Sequence, residues 1–470
     1  MKSHSITRRK FLKRSILGLS AVQLNRCSRS HDAKGINKNR PNIIFILTDD
    51  QRWDAVGCAG NPIIQTPNMD RLAENGTWFE RAFITTPICA ASRASFFTGL
   101  YERKHGYSFG TPPLSRACTD ISYPKLLKQN GYRSGFFGKF GIEVEDGAVE
   151  NMFDEYENLF RDPYFKNVDG VERHLTDIIG DKAIQFLRDN PQNIPFCLSV
   201  SFNAPHAEDN DPRQYIWPHA CDELYKDIVI PPPDTADPSF FEKLPEYLKT
   251  SMNRERWKWR FDTPEKYQEM VKGYYRMISG IDMVIGRLTE ELARLNLDSN
   301  TIIVLMGDNG YFLGERGFAG KWLMYDDSIR VPLIVYDPRM PSSKRDRVLN
   351  QMALNVDLAP TFLEYAGVEV PAAMHGESLV PLLNGEQVGW RSEVFCEHLC
   401  KLFPTIPQNE GIRTDRWKYL RYREYPDSEE LYDLAADPPE EINLAENSRY
   451  VQQLSELRRR CDEMIAQYSR

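Results

Sequence analysis

Asn42-Ile43-Ile44-Phe45-Ile46-Leu47-Thr48, followed at once by Asp49-Asp50, is the stretch that sets the fold class. A continuous apolar run of this length is what a strand needs when helices cover both faces of a parallel sheet. Runs of the same kind recur at residues 134–137, 196–202, 301–306 and 331–336. Helical periodicity lies between them, at 68–75, 123–130, 175–190 and 266–295. The last carries Tyr267, Met270, Val271, Tyr274, Met277, Ile278 and Ile281 at three- and four-residue spacing. Strands alternating with helices predict an α/β fold around a large, mostly parallel sheet.

What ends each strand is the second signal. The first run ends in Asp49-Asp50 and the second in Gly138-Lys139. The third leads to Asn203-Ala204-Pro205-His206, and the fourth ends in Gly307-Asp308-Asn309-Gly310. Ligands of open α/β sheets bind outside the carboxyl ends of the strands, so these tails predict one site. Taken singly, an Asp after a strand is usually a cap or turn residue, and a lone His is usually structural. Four polar tails on four strands outweigh that reading. Asp49, Asp50, Asp308 and Asn309 supply only oxygen donors, which suits calcium or magnesium and is poor for zinc. A cation there can bind a tetrahedral oxyanion and orient a nucleophile. Lys139, His206 and Lys321 add positive charge or proton donors around the same anion.

Outward from this region the texture changes. Past about residue 390, residues 411–422 (GIRTDRWKYLRY) alternate like a half-exposed antiparallel strand, 430–434 begin another, and 450–468 form an amphipathic helix. A catalytic domain over 36–390 and a smaller α+β subdomain with an antiparallel sheet over 391–470 are the expectation. Residues 231–264, rich in Pro, aromatics and charge, show no period and read as a surface insertion. Residues 1–35 differ again. Thr7-Arg8-Arg9-Lys10-Phe11-Leu12-Lys13 resembles a twin-arginine export signal, with a short apolar run over 16–24 behind it. That run is too short to span a bilayer, and it predicts export to the periplasm or cell surface rather than a plain basic tail. Leu24-Asn25-Arg26-Cys27 has the outline of a lipoprotein cleavage box, with Arg26 where a small residue is required; lipid anchoring at Cys27 stays open. No other segment is long and apolar enough for a transmembrane span. The 470 residues are 41% hydrophobic and 27% charged, ordinary for a soluble protein. A net charge of −8 argues against nucleic acid as a partner, though a local field can still hold a small anion. The nine cysteines form no CxxC pair, which removes zinc-ribbon and thioredoxin-like readings.

At Cys89-Ala90-Ala91-Ser92-Arg93-Ala94-Ser95-Phe96-Phe97-Thr98-Gly99 the chain resembles the signature of type I sulfatases, members of the alkaline phosphatase superfamily. That signature is C-x-[PA]-S-R, an apolar helix start, then T-G. The resemblance runs from Pro41 to about Leu444. It takes in Asp49-Asp50, Thr66-Pro67-Asn68-Met69-Asp70, Asp308-Asn309-Gly310, Lys321-Trp322-Leu323-Met324-Tyr325, Ser328-Ile329-Arg330-Val331-Pro332-Leu333, Gly411-Ile412-Arg413 and Asp437-Pro438 in the family's order. It implies a three-layer alkaline-phosphatase-like fold and a maturase that oxidises Cys89 to formylglycine, whose hydrate is the nucleophile. It implies calcium, with magnesium as the alternative, held by Asp49, Asp50, Asp308, Asn309 and the modified Cys89. His206 and Lys321 would bind sulfate and protonate the leaving oxygen, and Lys139 would contact sulfate and the formylglycine. Sulfated carbohydrates are the substrate class it suggests.

The signature also makes chemical sense. A residue at a helix N-terminus meets a dipole that favours anions. An aldehyde hydrate offers two hydroxyls on one carbon. One attacks sulfur; the other then loses its proton and expels sulfate as the aldehyde reforms, which splits one hard step into two easier ones. Arg93, one turn on, can face Cys89 and hold the hydrate or the metal-bound carboxylates. One departure stands out: where the family often has Lys-Trp-His, this chain has Lys139-Phe140-Gly141. The group that removes the hydrate proton is therefore open among Lys139, His206, a metal-bound group and another His such as His105. Ala91 stands where many members have Pro and bears on which maturase acts.

Two other functions compete. A phosphatase or phosphonate hydrolase of the same superfold usually holds two metals, for which eight His are a poor supply, while a one-metal phosphonate hydrolase that uses formylglycine stays open. A non-catalytic sulfated-glycan-binding relative is suggested by the missing His, against the retention of Cys89, Arg93, His206 and Lys321. Substrate recognition is expected in the loops. Residues 209–217, with Arg213, and the Trp257/Trp259 stretch are candidates for stacking on a sugar, although interleaved Trp and Arg are as often packing.

Overall fold

The side chains of Asn42–Thr48 (β1) are all buried and divide by alternation between two cores. Ile43, Phe45 and Leu47 enter one, Ile44 and Ile46 the other, as the two-residue period of a strand requires. A strand apolar on both faces must be covered twice, and this is what the computed structural model contains. It describes residues 40–109, 112–401 and 405–469, so the export-signal and Cys27 readings lie outside the described residues.

The central sheet also holds Thr77–Phe79 (β2), Arg133–Gly138 (β3), Glu155–Asn158 (β4), Phe196–Ser201 (β5), Thr301–Gly307 (β6), Leu333–Tyr336 (β7) and Arg347–Leu349 (β8). Their order is β8-β2-β7-β6-β1-β5-β3-β4. Every pairing is parallel except those of β7 with β6 and with β2. The sheet is thus mixed and mostly parallel. The run at 331–336, grouped above with the parallel strands, runs the other way. No helix of crossover length separates β6 from β7, only the three-residue 3-10 turn Glu315–Gly317 and the four-residue Asp326–Ile329. The chain therefore re-enters the sheet from the end at which it left, and parallel return is impossible without a crossover.

Pro67–Glu74 (α1), Leu175–Arg188 (α4) and Pro264–Arg294 (α6) pack in the core that holds Ile44 and Ile46. Gly180 lets α4 and α6 approach closely, since a Cβ there would lie 2.5 Å from Val284 Cγ1. Cys89–Thr98 (α2), Tyr123–Gln129 (α3) and Leu358–Tyr365 (α7) cover the opposite face. The result is a three-layer α/β/α architecture. The segment at 231–264 is not a bare surface insertion. It contains Met252–Arg260 (α5), which buries Asn253 and Arg260. A helix whose inward side is polar shows no apolar period, so pattern reading misses it.

A second, antiparallel sheet follows, formed by Glu393–His398 (β9), Asn409–Thr414 (β10), Trp417–Tyr422 (β11) and Tyr425–Asp433 (β12) in sequential order. Val451–Tyr468 (α8) packs on it through Leu454, Leu457, Cys461 and Met464. Phe395, Ile412, Tyr419 and Leu431 of this sheet join the same core as α2 and α7, and residues 40–470 form one compact unit.

Candidate active site

β6, β1, β5 and β3 are four consecutive strands of the sheet, so their carboxyl ends open side by side. Asp308 follows β6, Asp49 and Asp50 follow β1, His206 lies five residues past β5, and Lys139 follows β3. Backbone bonds lock the tails together: Asp308 N donates to Thr48 O at 2.9 Å, Asp49 N to Ala204 O at 3.1 Å and Lys139 N to Ser201 O at 2.8 Å. Asp50 adopts a left-handed φ of 69°. Tyr274 of α6 holds that turn, its hydroxyl donating to Asp50 O at 2.7 Å and accepting from Arg52 N at 3.0 Å.

Cys89 begins α2 behind an extended Ile88, and all ten residues of that helix are buried. Asn355 anchors this end: its Oδ1 accepts from Thr85 N at 3.0 Å and its Nδ2 donates to Ser92 Oγ at 3.2 Å. Arg93, one turn along and fully buried, spans the site. Its Nε donates to Asp308 Oδ2 at 2.8 Å, its Nη1 to Ser201 Oγ at 2.6 Å and to Lys139 O, and Nη2 stands 4.0 Å from Asp49 Oδ2. Lys139 Nζ donates to Asp49 Oδ2, and Lys321 Nζ to Asp50 Oδ1. Asp50 N donates to Asp308 Oδ1 at 3.1 Å, and Asn309 Nδ2 to Asp50 Oδ1 at 2.5 Å. Arg93 and Lys321 both lie within electrostatic reach of Cys89. The nine catalytic and metal-ligand candidates named from the sequence therefore share one buried cluster.

Charge balance follows from this packing. Burial alone would push Asp49 up, but Lys139, Lys321 and Arg93 around it hold its carboxyl well below the usual range. Asp308 moves the other way, to about 6, through burial and the neighbouring Asp49, with Arg93 in opposition. Burial works against the Lys321 ammonium, and Asp50, Cys89, Asp49 and Asp308 more than offset it, so Lys321 stays charged. His206 is pushed well below its ordinary value by burial and then by Arg161. Its Nδ1 lies 2.6 Å from Ala207 O. A carbonyl can only accept, so Nδ1 carries the hydrogen and Nε2 has the free lone pair. Nε2 faces Asp50 Oδ2 at 3.6 Å.

Asp49 Oδ1, Asp50 Oδ2 and Asn309 Oδ1 are buried oxygens with no hydrogen-bond partner among the described residues. Buried acceptors are normally satisfied, and an all-oxygen set of this kind fits a hard divalent cation. By proximity alone, Asp49, Asp50 and His206 can bring ligand atoms within 4.8 Å of one another. The oxygens are the better reading, since imidazole nitrogen is a poor donor for calcium or magnesium. Asp308 already serves Asp50 N and Arg93 with its two oxygens.

The recognition candidates lie differently. Arg213 is exposed and paired with Asp211 at 2.6 Å. Trp259 is exposed, and Trp257 lies under Arg254, 3.8 Å from the guanidinium carbon to the ring. The side chains of α5 that face inward are Asn253, whose Nδ2 donates to Lys321 O at 3.0 Å, and Arg260, which binds Tyr311 and Asp209. His105 is also placed elsewhere, 3.1 Å from Ser95 Oγ. Gly141, where the family's His is absent, has φ +72°, and a Cβ there would stand 2.8 Å from Arg93 Cδ. Arg161 was invisible in the sequence, in a segment with neither motif nor period, yet it lies within reach of Asp49 and Cys89.

Comparison with known proteins gives a consistent result. Residues 41–368 match the family model described as Sulfatase, and residues 314–467 match that of the N-sulphoglucosamine sulphohydrolase C-terminal region. An N-acetylglucosamine-6-O-sulfatase of Bacteroides thetaiotaomicron is 30% identical over 520 residues, covering 96% of this chain and 90% of its own. An arylsulfatase of Clostridium perfringens is 28% identical, with 89% and 93% covered. A solved structure of a protein in complex with its substrate, D-glucosamine-2-N,6-O-disulfate, has a TM-score of 0.77 at 28% identity, covering 91% of this chain and 98% of that one. A phosphonate monoester hydrolase of Agrobacterium radiobacter has a TM-score of 0.72 at 22% identity over 91% of this chain and 96% of its own, a likeness of fold.

Proposed function

This chain belongs to the sulfatase family and is a sulfuric ester hydrolase, and from that premise we propose that it hydrolyses sulfate monoesters of carbohydrates with a formylglycine made from Cys89. The observation that supports the mechanism best is Cys89 at the head of a buried helix, within electrostatic reach of Arg93 and Lys321. The Cys89 thiol stands in for the aldehyde hydrate, which would supply a hydroxyl nucleophile for sulfur. Asp49, Asp50 and Asn309, with Asp308 behind them, would hold a calcium or magnesium ion that withdraws charge from the sulfate oxygens. The chain's own residues do the rest. Arg93 fixes Asp308 and the end of β3. Lys139 and Lys321, both ammoniums, offset the charge of an incoming sulfate. His206 is kept neutral and has its tautomer set by Ala207 O, so Nε2 is the atom that can take a proton and hand it on. The missing His at Gly141 leaves His206 Nε2 as the base we favour for the hydrate proton.

The carbohydrate part rests on relatives named for N-acetylglucosamine-6-O-sulfate and glucosamine disulfate. The N-terminal twin-arginine pattern makes an exported enzyme part of the same proposal. The test is one assay with 4-nitrophenyl sulfate, 4-nitrophenyl phosphate, and a panel of O-sulfated glucosamine and galactose sugars. Release of sulfate from at least one sugar, and preference for sulfate over phosphate, is expected. Turnover of aryl sulfate without any sugar contradicts the substrate class, and a preference for phosphorus esters contradicts the sulfate-ester reading.

A further inference from the structure

The arginines around the site are committed to protein partners, and among the described residues the partly buried Arg161 is the exception. Arg93 binds Asp308 and Ser201, Arg260 binds Tyr311 and Asp209, and Arg256 binds Asp209 at 2.5 Å. Arg161 has no hydrogen bond among the described residues. Its Nε is buried and unpartnered, and its one ionic neighbour is Glu208 Oε2 at 3.6 Å, itself buried and unpartnered. That separation is too long for a hydrogen bond. Two opposite charges, each with unused capacity, face one another across a gap.

Their position is informative. Arg161 lies within electrostatic reach of Asp49, Cys89 and His206. Glu208 lines a cavity of about 230 Å³ together with Tyr164, Phe165, Asp211 and Arg213. Tyr164 ties that cavity to the catalytic cluster, its hydroxyl donating to His206 O at 2.7 Å and Asn203 O at 3.0 Å, so the cavity adjoins the tail that carries His206. The loop carrying Glu208 is fixed: Gln214, at a left-handed φ of 58°, donates from Nε2 to Asp211 O at 2.8 Å and to Asp209 O at 3.3 Å. Asp209 in turn is held from α5 by Arg256 and Arg260. Binding groups on a rigid loop favour recognition over adaptation.

We propose that Arg161 and Glu208 are specificity-determining residues that bind a neutral polar substituent of the sugar beside its sulfated carbon. The chemistry of the pair selects that substituent. A second sulfate or a carboxylate would be drawn to Arg161 but repelled by Glu208, and an ammonium the reverse. A hydroxyl or an acylamino group donates to Glu208 Oε2 and accepts from Arg161, and satisfies both. The inference rests on the carbohydrate reading above and names how that substrate is recognised.

The experiment measures kcat/KM for a sulfated sugar and for 4-nitrophenyl sulfate with wild type, R161A, R161K, E208A and E208Q, using fully modified protein. The quantity read is the ratio of sugar to aryl ester, which cancels any loss shared by both. Buried polar groups built for a substrate donor reject analogues that lack it, so the ratio is expected to fall roughly 30- to 100-fold in R161A and E208A, and less in R161K and E208Q. Substrates lacking one hydroxyl or the acylamino group complete the cycle: removal of the recognised group costs wild type as much as the substitutions do, and costs the variants little more. A ratio unchanged within about threefold in both alanine variants overturns the proposal, since Arg161 then serves sulfate itself or the fold. Wild type that hydrolyses the aryl ester and no sugar sulfate fails the carbohydrate reading instead.

Discussion

Gly141 shows how a single backbone position shapes this site. Its φ of +72° is one that side chains other than glycine's tolerate poorly, and a Cβ would press on Arg93 Cδ at 2.8 Å. Arg93 is the residue that ties Asp308 to the end of β3, so crowding there moves the carboxylate. Restoring the family's residue with G141H is therefore expected to lower kcat on 4-nitrophenyl sulfate by about tenfold or more and to cost about 1–3 kcal/mol of stability; a gain of activity would show that the pocket has room for an imidazole. Arg93 is also a buried ionic partner. R93A removes the nearest counter-charge of the fully buried Asp308 and is expected to cost about 3–5 kcal/mol in urea denaturation. The nine cluster residues were readable because each follows a buried strand or falls in a recognisable motif. Arg161 and Asn253 were not, because an uncommitted arginine and a helix asparagine carry no local pattern; only the folded chain brings them to the site.

Helix α5 and strand β10 act together on the segment that bears Lys321. Asn253 Nδ2 donates to Lys321 O at 3.0 Å and Asn409 Nδ2 to Trp322 O at 3.1 Å, both from fully buried amides. Trp322 holds a left-handed φ of 81°, and its N–H donates to Pro87 O two residues before Cys89. Strain of this kind persists where neighbours over-determine it. N253A is expected to reduce kcat roughly 10- to 100-fold with little change in KM and a urea midpoint near that of wild type, because it shifts the Lys321 ammonium without removing it; a fall in kcat matched by a loss of folded protein would point to general misfolding. Elements of this sort mark the boundary of pattern reading. β1, β5 and β6 were legible as continuous apolar runs, and α6 by its stripe. The reversed direction of β7 was not, since a strand's residues record its burial and not its polarity. α5 was not, since it turns Asn253 and Arg260 inward. Short strands β2, β4 and β8 are set by pairing rather than by their own composition.

The two sheets share a core, and beside the second lies the buried Glu102, which Leu399 N reaches at 3.3 Å and which burial and the adjacent Glu397 push up to about 8. A carboxyl raised in the folded state contributes stability that is complete below its unfolded value near 4.5 and lost as pH climbs to about 8. E102Q is accordingly expected to gain on wild type between pH 5 and 8.5 by an amount on the order of a few kcal/mol, read as the difference between their urea unfolding curves; a pH-independent difference would rule the burial effect out. The orphaned oxygens of Asp49, Asp50 and Asn309 predict a linked effect of the cation. Calcium at about 100 times its dissociation constant stabilises by about 2.7 kcal/mol, so Tm is expected to rise with calcium in wild type and not in a D49N/D50N variant. All of this converges on Cys89, the one residue whose chemistry must change for the proposed reaction to occur. The measurement that bears on it most directly is the mass of the tryptic peptide 82–93 from protein purified from its native host. Replacement of sulfur and two hydrogens by one oxygen, in a fraction that tracks specific activity, is the predicted result. An unmodified Cys89 in protein that hydrolyses sulfate esters at full rate would contradict it.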